Sequence, residues 1–136
     1  MRVSWCQFDV TSIPGVARKD FNKELGFNVY VADWLRKQFE LTGEERFSHW
    51  HHSANERSSV REGFNAKMMG QARGMPDLVH FGLRVAVELK VGDGVAGKYQ
   101  AGWLEYLAGL GWKCEVVRTF ERFREIVLGA QIAPRT

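Results

Sequence analysis

Residues 74–90 read GMPDLVHFGLRVAVELK: two short apolar runs meet around Gly82, and each carries one carboxylate, Asp77 in the first and Glu88 in the second. Runs of this length, rich in Val and Leu and punctuated by glycine, predict two strands joined by a tight hairpin. If Gly82-Leu83 is a two-residue loop, with glycine first as a type II′ turn prefers, then Phe81 faces Arg84, Val79 faces Ala86 and Asp77 faces Glu88. Side chains alternate along a strand, so Val85, Val87 and Leu89 fill one face while Glu88 and Lys90 share the other with Asp77. Like charges directly opposite one another destabilise a sheet, and a cation between them resolves the conflict. Strands also carry surface charge freely, and Lys90 alone could neutralise Glu88. The spacing leaves both readings open.

Outward from this hairpin the chain alternates helices and strands. Strands are predicted over 76–81 and 84–90, followed by a loop at 91–97 holding Gly92, Gly94 and Gly97, a helix from about 98 to 110, a strand at 113–118 and a helix at 120–128. Upstream, a helical pattern from about 19 to 41 stops near Gly43, a residue suited to a helix C-terminus, and FSHWHH at 47–52 reads as a strand. Residues 53–74 form a long loop with a short helical piece near 61–69, and long loops in small domains are often functional. The order αβββαβα predicts an α/β fold, a central mixed sheet flanked by helices. One domain is expected over 1–136, with a core at about 19–128, a lead-in at 1–18 broken by Pro14-Gly15, and a tail at 129–136.

Composition fits a globular chain: of 136 residues, 45% are hydrophobic and 26% charged, with no low-complexity run or repeat. The opening MRVSWCQFDV holds Gln7 and Asp9 where a signal peptide needs an unbroken apolar stretch, and no window has the length of a membrane span. The expectation is a cytoplasmic protein of a bacterial or phage-infected cell, with no membrane partner. Cys6 and Cys114 lack metal-type spacing and read as ordinary thiols. A net charge of +3 and a pI near 9.0 permit a polyanionic partner without requiring one.

The first helix sharpens the question of the carboxylates. On a wheel with Glu24 at zero, Phe21, Leu25, Phe27, Asn28, Val31, Ala32, Trp34, Leu35 and Phe39 share its side, so Glu24 lies near the centre of the predicted apolar face. Lys23, Asp33, Arg36, Lys37 and Glu40 fall opposite, where charge belongs, together with Val29 and Tyr30. A buried carboxylate needs a partner or a cation. In the helix after the loop, Gln100 heads the stripe Trp103, Leu104, Leu107 and Leu110, although a polar residue at a helix start is also commonplace.

Asp77, ten intervening residues, Glu88, one residue and Lys90 form the signature PD-(D/E)xK, complete with Pro76. HHSANE at 51–56, KMMGQARGMPDL at 67–78, VELK at 87–90, Gln100 and GW at 111–112 together resemble the VRR-NUC family, from about Glu24 to Val127. In that family an early helix carries a Glu, a Gln four residues later, and a Trp-Leu-like pair. Glu24, Trp34 and Leu35 match, whereas Asn28 stands where Gln is usual. The resemblance implies a restriction-endonuclease-like fold (an αβββαβ core), hydrolysis of phosphodiester bonds in DNA, and, for small stand-alone members, a homodimer able to cut four-way junctions.

The residues suit that chemistry. Mg2+ or Mn2+ prefers oxygen ligands, which Asp77, Glu88, Glu24 and the Leu89 carbonyl could supply. Lys90 is expected to position water or stabilise charge on the phosphate, and Gln100 to orient Lys90 or the water. Arg57, Arg61, Lys67, Arg73 and Lys98 surround the site in sequence and are candidate phosphate contacts; a solvated loop surface would look the same. His49, His51 and His52 suggest zinc, yet no Cys or carboxylate sits at finger-type spacing. Phe47, Trp50, Trp103 and Trp112 read as core or dimer interface rather than as base-stacking platforms. The rival readings are a nuclease of flap, nicked or linear DNA, and an inert nucleic-acid-binding module.

Overall fold

The computed structural model describes residues 24–53 and 74–132. Helix α1 (Glu24–Thr42) leads through a 3-10 turn (Glu45–Phe47) to strands β1 (His51–His52), β2 (Leu78–His80) and β3 (Val85–Leu89). Helix α2 (Lys98–Gly109), strand β4 (Lys113–Val117) and helix α3 (Phe120–Gly129) follow. The sheet has the order β1-β2-β3-β4, antiparallel across its first two pairings and parallel between β3 and β4. The described residues thus form a mixed four-stranded sheet with three helices, the restriction-endonuclease-like α/β arrangement. None of the described helices is long and apolar enough to cross a membrane. The expected lead-in at 1–18, the expected helix start near residue 19 and the expected helical piece at 61–69 fall outside the described residues.

The hairpin has the expected register, with Leu78 opposite Val87, Val79 opposite Ala86 and His80 opposite Val85. Its turn differs. Arg84 N–H donates to Phe81 O at 3.2 Å, and Arg84 rather than Gly82 takes the positive φ, at 55°, so the loop is not type II′. His80 closes it from inside, its Nδ1 accepting the Leu83 N–H at 2.9 Å. FSHWHH is only partly extended: Phe47 ends the 3-10 turn and His49 sits at φ 63°, which leaves two residues to pair with β2.

β3 lies between two neighbours, and all five of its residues are buried. A strand covered on both faces reads as a continuous apolar run, which VAVEL obeys except at Glu88. Against one face pack Phe27, Tyr30, Val31 and Leu35 of α1 and Phe120, Phe123, Ile126 and Val127 of α3. Tyr30 meets Phe120 edge-to-face at 4.7 Å between ring centres, and Trp34 meets Phe47 at 5.5 Å; such pairs add about 0.5–1.5 kcal/mol each to plain burial. Phe47 and Trp50 are therefore core-forming, as expected.

The buried stripe of α1 is rotated from the predicted one. Tyr30 is fully buried, Leu25 is 54% exposed, and Phe39 is exposed too. At 19 residues the helix is about 28 Å long, against about 17 Å for a five-residue strand, so apolar residues near its ends overhang the sheet. Asp33 was expected on the solvent side but is buried, held by Lys37 at 2.9 Å and Arg36 at 3.1 Å. The predicted tail also changes: Ala130 and Ile132 pack on the core, whereas 133–136 lie outside the described residues.

α2 carries β3 to the parallel β4, and none of its residues is fully buried. It ends in a Schellman motif, with Trp112 N–H on Leu107 O at 3.1 Å and Gly111 N–H on Ala108 O at 3.0 Å. Gly111 occupies φ 90°, a conformation that favours glycine.

Candidate metal centre

Continuing the hairpin register by one step sets Asp77 opposite Glu88, as the alternation predicts. Asp77 is fixed at both ends: its Oδ2 accepts the Leu89 N–H at 2.8 Å, and its backbone carbonyl accepts the Ser53 N–H at 2.9 Å. Glu88 is 1% exposed. Its Oε1 accepts a hydrogen bond from Gln100 Nε2 at 2.8 Å, while its Oε2 is buried with no partner among the described residues.

Burial raises the Glu88 carboxyl to about 8, and the neighbouring Asp77 charge adds to the effect, with Lys90 opposing it. Asp77 is also raised, chiefly by burial; the Leu89 N–H and the His52 ring pull the other way. Two ionised carboxylates cannot hydrogen-bond each other, which explains the lone Oε2. A single shared proton satisfies both groups, and a divalent cation does so more fully.

Gln100 is oriented by a second bond, its Oε1 accepting the Gly97 N–H at 2.7 Å at the start of α2. With its Oε1 on Gly97 and its Nε2 on Glu88, it addresses Glu88 rather than Lys90. Lys90 Nζ lies 3.3 Å from Glu24 Oε1. Glu24 is therefore not the buried centre of an apolar stripe but a partly exposed carboxylate at the first turn of α1, facing the lysine.

Both ends of the Asn28 amide are bonded elsewhere than to Asp77 and Glu88. Its Nδ2 donates to the Glu24 carbonyl at 2.8 Å, so its Oδ1 faces His52 Nε2, also at 2.8 Å. An amide oxygen only accepts, which requires the proton of His52 on Nε2. Glu24, Leu25, Asn28, His52, Ser53, Asp77, Glu88 and Gln100 line one cleft of about 190 Å³. His52 and Ser53 were not among the expected site residues. His51, His52 and Ser53 belong to the HHSANE string that carries part of the VRR-NUC resemblance, but nothing local in it shows that it runs beside Asp77. His49 instead meets Ser48 Oγ through Nδ1 at 2.9 Å.

Among the described residues no three His, Cys, Asp or Glu side chains converge as a ready metal cluster. Mg2+ and Mn2+ need fewer, because one or two carboxylates with waters and substrate phosphate complete their shell. The adjacent Asp77 and Glu88, both lining the cleft and with one carboxylate oxygen orphaned among the described residues, fit such an ion. Of the basic candidates, Lys98 is exposed at the first residue of α2, and Arg57, Arg61, Lys67 and Arg73 lie outside the described residues. A larger groove of about 440 Å³, lined by Lys98, Tyr99, Gly102, Trp103 and Tyr106, contains no carboxylate, so size alone does not mark the chemistry.

No protein-family model matches the chain, and no curated protein does. Among solved structures the chain is similar to a "VRR_NUC domain protein", with 25% sequence identity and a TM-score of 0.62 over 78% of this chain and 85% of the other. The match supports the VRR-NUC resemblance carried by the sequence motifs, and the fold that goes with it.

Proposed function

We propose that this chain is a divalent-metal-dependent endodeoxyribonuclease that hydrolyses phosphodiester bonds in branched DNA such as Holliday junctions, working as a homodimer. One observation carries the reading: buried Glu88 beside half-buried Asp77, with a carboxylate oxygen unpartnered among the described residues, in one cleft with Gln100 and Glu24. Likeness to a VRR_NUC domain protein supports the nuclease class.

Asp77 and Glu88 would hold Mg2+ or Mn2+, with Glu24 and the Leu89 carbonyl as further oxygen donors. When bound, the cation supplies Lewis acidity towards phosphate and a water of lowered pKa. Lys90, only partly exposed beside Glu24, would offer its ammonium to the charge that builds on the phosphate oxygens. Gln100 acts through Glu88, holding that carboxylate in one orientation. Lys98, with Arg57, Arg61, Lys67 and Arg73, would neutralise DNA phosphates and make affinity depend on salt. A four-way junction presents two symmetry-related strands, which a two-fold dimer cuts most simply.

The test is cleavage of synthetic junctions, flaps, nicked and linear duplexes and single strands, with Mn2+ and with EDTA, alongside light scattering. Junctions should be cut in Mn2+ only. Cleavage that survives EDTA together with Asp77→Asn and Glu88→Gln removes the site. Equal cutting of linear duplex removes the preference for branched DNA, and a monomer that cuts junctions symmetrically removes the dimer.

A further inference from the structure

We propose that the Ser53 hydroxyl is a hydrogen-bonding partner for the hydration sphere of a divalent cation seated at Asp77 and Glu88. The inference rests on the metal reading above. β1 pairs with β2 through His51 opposite Val79 and His52 opposite Leu78, and the next step, Ser53 opposite Asp77, is marked by the bond from Ser53 N–H to Asp77 O. Since Asp77 in turn lies opposite Glu88, the three residues form one row across the sheet, and directly opposed side chains share a face.

Ser53 is 8% exposed, and its Oγ has no partner among the described residues. Buried hydroxyls are almost always hydrogen-bonded, and an exception calls for a physical reason. Here two orphans, Ser53 Oγ and Glu88 Oε2, occupy one row beside one cleft. An oxygen shielded to this degree admits no DNA backbone, so its partner must be water-sized and must enter as the cation seats. Mg2+-like ions keep several waters, each with hydrogens to place, and the serine oxygen offers two lone pairs. The Asn28 and Gln100 amide oxygens in the same cleft are already engaged by His52 and Gly97.

Thermal denaturation of the full chain without DNA tests the assignment, with Mn2+ titrated at fixed pH against wild type, Ser53→Ala, Ser53→Cys and Glu88→Gln. Metal-free Ser53→Ala should melt at or above wild type, because a dry hydroxyl is removed. The Mn2+ concentration needed for a given rise in Tm should be about tenfold higher in Ser53→Ala and Ser53→Cys, in line with losing an outer-shell partner, and higher still in Glu88→Gln. An unchanged Mn2+ requirement in both serine variants, with a responsive wild type, overturns the role of Ser53 alone. A wild type indifferent to Mn2+ overturns the metal reading and this inference with it. Should Ser53→Ala fail to fold, Ser53→Cys, which nearly keeps the volume, decides.

Discussion

Gln100 grips Glu88 from the first turn of α2: its Nε2 donates to Glu88 Oε1 at 2.8 Å while its own Oε1 accepts the Gly97 N–H at 2.7 Å. One side chain thus joins the helix start to the buried carboxylate. Gln100→Leu breaks both bonds, at a cost of about 1 kcal/mol for the lost helix-start bond alone. It also frees Glu88 to rotate. Turnover should fall roughly 10–100-fold with little change in DNA affinity, as for other lost partners of metal ligands. Steady-state kinetics beside a urea melt check this, and wild-type turnover in the variant would deny Gln100 its positioning role.

Glu88 sets a pH dependence. Its carboxyl is pushed up from 4.5 to about 8 by burial and then by the charge of Asp77, so the folded chain holds the proton more tightly than the unfolded one. The resulting stability is complete below pH 4.5 and is lost as pH rises through about 8. Metal-free wild type should therefore lose stability across that window, while Glu88→Gln stays flatter. Mn2+ competes with the same proton, so its affinity should climb with pH by up to about tenfold per unit until the carboxyl is ionised. Urea melts at several pH values, with EDTA and with Mn2+, measure both slopes.

Asp77→Asn separates charge from shape, because the amide oxygen can still accept the Leu89 N–H that Asp77 Oδ2 accepts now. Above pH 8, where Glu88 is ionised, the substitution relieves a like-charge pair worth roughly 0.2–1 kcal/mol, so in EDTA the variant should melt at or above wild type. Mn2+ should reverse the order. A ligand at a hundredfold its Kd stabilises the folded state by about 2.7 kcal/mol, which the variant forfeits in large part. Equal Mn2+-induced shifts in the two proteins would show that Asp77 is not a ligand.

The hairpin register was legible because strand periodicity fixes every pairing once the loop centre is known, and Gly82-Leu83 marked that centre. The turn type was not, since the left-handed position fell on Arg84, which no propensity favours. The face of α1 misled because a wheel counts Leu25 and Phe39 as equal to Phe27, although only the middle of the helix meets the sheet. Asp77, Glu88, Lys90 and Gln100 stood out as charged or polar residues at telling spacings. His52 and Ser53 did not. Their relation to the cleft depends on pairing between β1 and β2, which are separated by 25 residues of chain and joined by no tight turn.

Gly74 ties the two halves of the cleft together at the level of the backbone. It sits at φ +79°, three residues before Asp77, and a Cβ there would lie 2.5 Å from Tyr99 Cβ, 2.6 Å from Tyr99 C and 2.8 Å from Gln100 N. The obstacle is the backbone and Cβ of α2, so a side chain fits only if the helix start moves. Gly74→Ala adds left-handed strain to this overlap, for a combined cost of about 2 kcal/mol or more. Gly111→Ala provides the control: its φ is +90°, but nothing lies within 4 Å of the added carbon, so only the strain of about 1 kcal/mol remains. Both variants should melt below wild type, Gly74→Ala further. Only Gly74→Ala should also weaken the Mn2+ response and turnover, because displacing the start of α2 carries Gln100 away from Glu88. Matched thermal scans and cleavage rates decide, and a Gly74→Ala protein with wild-type Mn2+ response would show that Gly74 serves packing alone.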